Sequence, residues 1–326
     1  MIITYFRSSS YVNLDFCEQQ YYLTYVLGMR SPAGKRAVIG TIVHKVMECL
    51  AGAKLCKQSG REWFQDDALG KLFVVDCSPN LLAERAYAWY TTSEPHLEWK
   101  AADLKECKQL SASALTDFGG RFDPRKRRII DPERHFDFLL PYDWAKYSYD
   151  TPNGKIEGQL GLKGTIDLIT EYRPGVIEII DWKTGMRKDW ATGKEKDFEK
   201  LSNDPQLRIY HYAASKLYPQ AKQIIITIYW VRDGGPFTIC FHQQDLAVTE
   251  RLLKNRFKRV REIIRPKLNK SWKCTRICHF GKTLWPNSEK TICQHIHDET
   301  MEKGMKYVDA HFTRPGHTVA HYESPG

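Results

Sequence analysis

The chain changes texture at Gly119-Gly120, and that change restricts its fold more than any other feature. Beyond it, residues 135–140, 160–171, 176–182, 223–231 and 236–241 are short runs rich in β-branched and aromatic side chains, the composition of strands packed into a sheet. Arg173-Pro174-Gly175 joins the second and third as a hairpin, and Asn153-Gly154 marks another turn. A helix from Pro205 to Leu217 follows the third strand, after a charged loop from Arg187 to Asp204. Three strands, a helix and another strand predict an α/β (α+β) sandwich with mixed pairing. Before Gly119 the pattern is helical. Ser8, Ser9 and Ser10 offer a cap ahead of Tyr11–Tyr25, closed near Gly28. Ile39, Val43, Val46, Met47 and Leu50 then line one side of a helix that also carries His44, and 81–115 continues helical. The expected organisation is a helical region over 1–120, a sheet-bearing core over 121–242, a basic and cysteine-bearing segment over 243–298, and a polar tail over 299–326.

Charge narrows the function. Lys+Arg 49 against Asp+Glu 39 leaves +10, and the segment from Gln243 to Arg276 holds most of the excess. Its first part reads as a helix with Leu253, Phe257, Val260 and Ile264 on one face. Arg251, Lys254, Lys258, Arg261 and Arg265 share the opposite face, where same-sign neighbours repel; a solvated surface and a nucleic-acid-binding face are the two readings of that stripe. A second basic patch, Arg125 to Arg128, is shorter. Hydrophobic residues at 42% exclude wholesale disorder, and no apolar run approaches the roughly 20 residues that cross a bilayer. The start, MIITYFRSSS, is not a secretory signal, so the cytoplasm is the expected compartment and the nine cysteines read as thiols or metal ligands.

The most informative segment is Gly164-Thr-Ile-Asp167 with Ile179-Ile-Asp181-Trp-Lys183. Hairpin pairing brings Asp167 and Asp181 side by side at one sheet edge. Adjacent carboxylates repel unless a cation lies between them, and oxygen ligation suits Mg²⁺ or Mn²⁺. Lys183 shares a strand face with Asp181, where an amine orients a water or offsets charge on a phosphate. A plain surface ion pair is the duller reading of the same triplet.

This arrangement resembles the PD-(D/E)XK nuclease superfamily, and most closely its RecB-like branch, which includes helicase-coupled exonucleases and CRISPR-adaptation nucleases. The resemblance runs from about Ser8 to His297 and rests on motifs in the family's order. Gly40-Thr-Ile-Val-His44 is similar to a Gly-x-x-x-His motif that supplies a histidine metal ligand. Glu133 is placed like the acidic residue before the core hairpins, and Asp167 and Asp181-Trp182-Lys183 match the two central motifs. Gln206-Leu-Arg-Ile-Tyr210 matches the family's Gln-x-x-x-Tyr helix. The resemblance implies a restriction-endonuclease-like core and catalytic roles for Asp167, Asp181, Lys183, Gln206 and Tyr210. Metal ligation would fall to His44, Glu133, Asp167, Asp181 and the Trp182 carbonyl, with Gln206 holding the lysine or a phosphate oxygen.

Many members of that branch hold a [4Fe-4S] cluster with one N-terminal and three C-terminal cysteines, a set that Cys17, Cys274, Cys278 and Cys293 would supply here. The last three are spaced more widely than the family's Cys-x-x-Cys-x5-Cys. Zinc on Cys274, Cys278, Cys293 and His295 or His297 is the rival reading. Cys49, Cys56, Cys77, Cys107 and Cys240 show no ligand spacing.

Together these readings predict a Mg²⁺- or Mn²⁺-dependent exonuclease acting on DNA ends or single strands in recombination or repair. A DNA-end-binding protein with a silent site and a structure-specific endonuclease are the alternatives. No Gly-x4-Gly-Lys-Ser/Thr motif is present, so unwinding would come from a helicase or recombination partner.

Overall fold

The computed structural model describes residues 1–151, 154–188, 194–315 and 317. The chain opens with a short strand β1 (Tyr5–Phe6), helices α1 (Ser8–Phe16) and α2 (Glu18–Tyr21), and a π-helical turn over Tyr22–Val26. Helix α3 (Lys35–Gln58), a two-stranded ribbon β2 (Trp63–Asp66) and β3 (Gly70–Phe73), and helices α4 (Pro79–Ser93) and α5 (Ala101–Gly120) follow. Next come β4 (Arg128–Leu139), β5 (Lys146–Thr151), β6 (Gly154–Gln159), β7 (Gly161–Arg173) and β8 (Val176–Lys183). Helices α6 (Phe198–Ser202) and α7 (Pro205–Leu217) precede β9 (Gln223–Trp230) and β10 (Gly235–Phe241). The chain continues through α8 (Asp245–Glu262), α9 (Trp272–Arg276), α10 (His279–Lys282), α11 (Ile292–Lys303) and α12 (Met305–Phe312). This is a mixed α/β fold with a central mixed sheet flanked by helices.

Two compact units share this sequence. One comprises Ala33–His135 and Thr165–Leu246; the other takes Met1–Pro32, Phe136–Gly164 and the chain from Ala247. In the first, β8 lies antiparallel to β7 and parallel to β9, and β10 closes the edge antiparallel to β9. Seven of the eight β8 residues are buried, as a central strand covered on both faces requires. That run buries two acids, Glu178 and Asp181; Glu178 bonds Arg127 and accepts from Thr227 at 2.7 Å. Helix α3 supplies the opposing core through Val38, Ile42, Val43, Val46 and Met47, packed with Leu168, Ile180, Trp182 and Tyr229. The texture change falls where α5 ends, with Gly119 and Gly120 at φ +69° and +71°.

The second unit joins the two ends of the sequence. The Met1 ammonium donates to the Ile263 carbonyl at 2.7 Å, and Tyr22 donates to Asp309 at 2.7 Å. Arg256 grips Asp15 with two bonds of 2.9 and 2.6 Å and lies 3.7 Å over the Tyr11 ring. In this unit β1 runs parallel to the first residues of β7.

Several expectations shift. Residues 299–312, expected as a polar tail, continue α11 and form α12, while 318–326 lie outside the described residues. Ile264 is 83% exposed, because α8 stops at Glu262 ahead of Pro266. The charged stretch before α7 contains a short helix, and Asn153 of the expected turn lies outside the described residues. Helix α1 begins at Ser8, with Ser10 rather than Ser8 bonding back to the Arg7 backbone at 3.0 Å.

Candidate active site

Register sets the first two carboxylates. Leu168 pairs with Ile180, so Asp167 and Asp181 are the next residues along the same ladder. Asp167 accepts a hydrogen bond from the Trp182 backbone at 3.2 Å and faces His44 Nδ1 at 3.2 Å. Helix α3 brings His44 this close through Gly40, where a Cβ would meet the Thr184 hydroxyl at 2.7 Å. A larger residue there would push against the Thr184 side chain, which would have to turn away. Glu133 arrives differently. Pro132 cannot donate to a sheet ladder, and Glu133 takes a left-handed backbone (φ 46°) inside β4. Among the described residues, His44, Glu133 and Asp167 form the one trio of potential ligands whose donor atoms all lie within 4.8 Å of one another.

Asp181 stands outside that trio and is held by three neighbours. Lys183 donates to its Oδ1 at 2.9 Å, Gln206 at 3.1 Å and Tyr210 at 3.3 Å, while Gln206 also donates to Tyr210 at 2.8 Å. Gln206 therefore reaches the aspartate and not the lysine. Asp204 caps α7 by accepting from the Gln206 backbone at 2.9 Å with Pro205 at the first position, which fixes where that helix begins. The Lys183 ammonium also lies 2.7 Å from Asp181 Oδ2, so it faces both oxygens of that buried carboxylate.

Electrostatics follow from crowding. Burial and the charge of Asp167 push the Glu133 carboxyl up to about 8. Burial raises Asp181 to about 6, with Lys183 pulling against it and Asp167 adding to it. Burial alone would lower His44, but Asp167 outweighs it and holds the imidazole at about 9. Asp167 is itself held below the usual carboxylate range, since His44 and Lys183 overcome the cost of its burial. Burial also works against the Lys183 charge, but Asp181 and Asp167 prevail and keep it an ammonium. Two carboxylates and an imidazole, Glu133, Asp167 and His44, form a donor set suited to a hard divalent cation, with the ion-paired Asp181 beside them.

The cleft over these groups measures about 520 Å³ and is also lined by Lys45, Glu48, Asp67, Tyr90, His135 and Thr184. None of these carried a motif in the sequence. Lys45 and Thr184 were marked only by adjacency to His44 and Lys183. Lys45 bridges Glu48 at 2.5 Å and Asp66 at 3.1 Å, and His135 pairs with Thr165 at 2.8 Å.

In the other unit the expected thiols converge. Cys17 caps α2, Cys274 sits in α9, Cys278 caps α10 and Cys293 lies in the first turn of α11. Burial raises Cys278, with Cys17 and Cys274 adding to the effect; burial and then Cys17, Cys278 and Cys274 push Cys293 up to about 12. Yet no three of these sulfurs lie within 4.8 Å of one another. His295 is stacked on Trp285 at 4.6 Å. Arg251, Lys254, Lys258, Arg261 and Arg265 are exposed, the first four on α8 and Arg265 beyond its end.

A family model of the PD-(D/E)XK nuclease superfamily matches residues 8–282. The chain belongs to the PD-(D/E)XK nuclease superfamily. No curated protein matches the sequence. Among solved structures, one named "Putative exonuclease", from Eubacterium rectale, is similar at 12% identity with a TM-score of 0.46, covering 84% of this chain and 87% of its own. Another, of SSO0001, is 17% identical with a TM-score of 0.27, covering 72% of this chain and 93% of its own. For this PD-(D/E)XK chain, no helix among the described residues is long and apolar enough to cross a membrane.

Proposed function

We propose that this nuclease-superfamily chain is a metal-dependent DNA exonuclease of the RecB-like branch, with a [4Fe-4S] cluster on Cys17, Cys274, Cys278 and Cys293. The observation that carries the reading is the His44–Glu133–Asp167 trio beside the Asp181–Lys183 pair. His44, Glu133 and Asp167 would hold Mg²⁺ or Mn²⁺, with Asp181 and the Trp182 carbonyl as further oxygen donors. Such an ion would supply Lewis acidity toward a water and the phosphodiester oxygens.

The side chains do the positioning. Lys183 is kept protonated by Asp181, so it acts as a cationic donor that orients the attacking water and offsets phosphate charge. Gln206 and Tyr210 hold Asp181, and Asp181 in turn aims Lys183. Tyr210 stays neutral because burial raises its pKa far above the ordinary value. The exposed face Arg251, Lys254, Lys258, Arg261 and Arg265 would bind the DNA backbone without reading sequence. The cytoplasm is its proposed place of action, with a helicase partner to unwind duplex.

End-labelled linear DNA and closed circular DNA, incubated with Mn²⁺, test this. Degradation of the linear form alone, abolished by EDTA and by Asp181→Ala, is expected. Cutting of the circle would indicate a structure-specific endonuclease. Retention of linear DNA without cleavage would indicate a DNA-end-binding protein with a silent site.

A further inference from the structure

Helix α3 carries His44 in its middle and Gln58 at its end, and strand β4 follows it past both. At one end Glu133 of β4 meets His44. At the other, the Gln58 amide donates to the Ile129 carbonyl at 2.8 Å and accepts from the Ile129 backbone at 2.9 Å. A second cleft of about 500 Å³ opens at this far end, lined by Lys54, Gln58, Lys126, Arg127 and Arg128. Among the described residues no carboxylate lines it.

The pairing of these cations is uneven. Arg127 is tied to the buried Glu178, and Arg128 reaches Glu171 at 2.7 Å. Lys126 donates only to the Gly119 carbonyl, at 3.4 Å, and Lys54 makes no hydrogen bond or ion pair among the described residues. The anchored Arg127 fixes one guanidinium in the wall, while two ammonium groups remain without a counter-ion. An open, shallow surface that carries two ammonium groups without a counter-ion among the described residues beside a fixed guanidinium suits an oxyanion.

We infer that this cleft is a second backbone-binding site, which takes a phosphate of the DNA whose scissile bond lies at the His44 cleft. The inference rests on the proposed action on DNA and deepens it, because it sets a length requirement on the substrate. Ten to fourteen helical residues separate His44 from Lys54 and Gln58, about 15–21 Å along α3. At 3.4 Å per base pair, that span is about four to six base pairs of duplex. Longer DNA therefore engages both clefts, and shorter DNA engages only the catalytic one.

The test uses fluorescent hairpin DNAs with stems of about 4 and about 20 base pairs, bound to the full chain in EDTA and followed by anisotropy. Lys54→Glu/Lys126→Glu should weaken binding of the long stem about tenfold and lower its salt dependence by about two phosphate contacts, with the short stem unaffected. Lys54→Gln/Lys126→Gln, the milder pair, should show the same length dependence with a smaller loss, at an unchanged melting temperature. Equal losses on both stems, or no loss on the long one, would overturn the inference. Binding in EDTA needs no chemistry, so a length-dependent loss in a protein that never cleaves would sustain this site and refute the exonuclease.

Discussion

The carboxylate cleft takes His44, Glu133, Asp167, Asp181 and Lys183 from one compact unit, whereas the four cysteines come from the two ends of the sequence and meet in the other. Neighbouring strands and one helix already place the carboxylates, and a sheet with a large core surrounds them. The cysteines lie on α2 and on short helices α9 and α10 joined by irregular chain, with only the start of α11 behind them. Closing the loop between Cys17 and Cys274 carries an entropic cost that packing of such short elements offsets poorly. A change in the first site should therefore be felt in chemistry, and a change in the second in folding.

Asp181→Ala gives the largest separation: cleavage should fall on the order of a thousandfold with the melting temperature nearly unchanged. A parallel collapse of the melt would show that the pair is structural and would erase the contrast. Next is the response of metal binding to pH. In the ion-free site His44 titrates at about 9 and Glu133 at about 8, so at pH 7 both carry protons that a cation must displace. Calorimetry in buffers of different ionisation enthalpy should show between one and two protons released per Mn²⁺. Apparent affinity should rise at least tenfold per pH unit from 6 to 8. His44→Gln should remove one of those protons. The raised His44 pKa also means that its ion pair with Asp167 stabilises the ion-free fold fully below about pH 6.5 and is lost as pH climbs through about 9.

Cys278→Ser sharpens the other half. It should lower the melting temperature by on the order of 10 °C and remove the broad visible absorption near 400 nm expected of anaerobically purified protein. Colourless protein containing one zinc would replace the cluster with a single ion. The smallest effect concerns the basic face of α8. Arg251→Gln with Lys254→Gln should weaken DNA binding several-fold at moderate salt, in a way that added salt erases.

Much of the cleft was legible in the sequence, because period-two strands and a tight turn leave little freedom in which residues face each other. Asp167 and Asp181 are neighbours for that reason, and Gln206 with Tyr210 lie one turn apart on α7. What periodicity does not reveal is depth. Asp181 is withdrawn among Lys183, Gln206 and Tyr210, and Glu133 takes the third place in the ligand trio through a left-handed kink that no hydrophobic pattern announces. The β2–β3 ribbon was missed because its outward side carries Trp63 and Phe73 opposite each other, which blurs the alternation. The helices over 292–312 were obscured by polar surface residues, since each buries only one or two positions.

A Mn²⁺ titration followed by electron paramagnetic resonance decides whether the His44–Glu133–Asp167 cleft binds a divalent ion. The wild-type chain should quench the free-ion signal stoichiometrically at pH 8, and Asp167→Asn and Glu133→Gln should each abolish that uptake while remaining folded. Undiminished Mn²⁺ uptake in both variants would contradict that assignment.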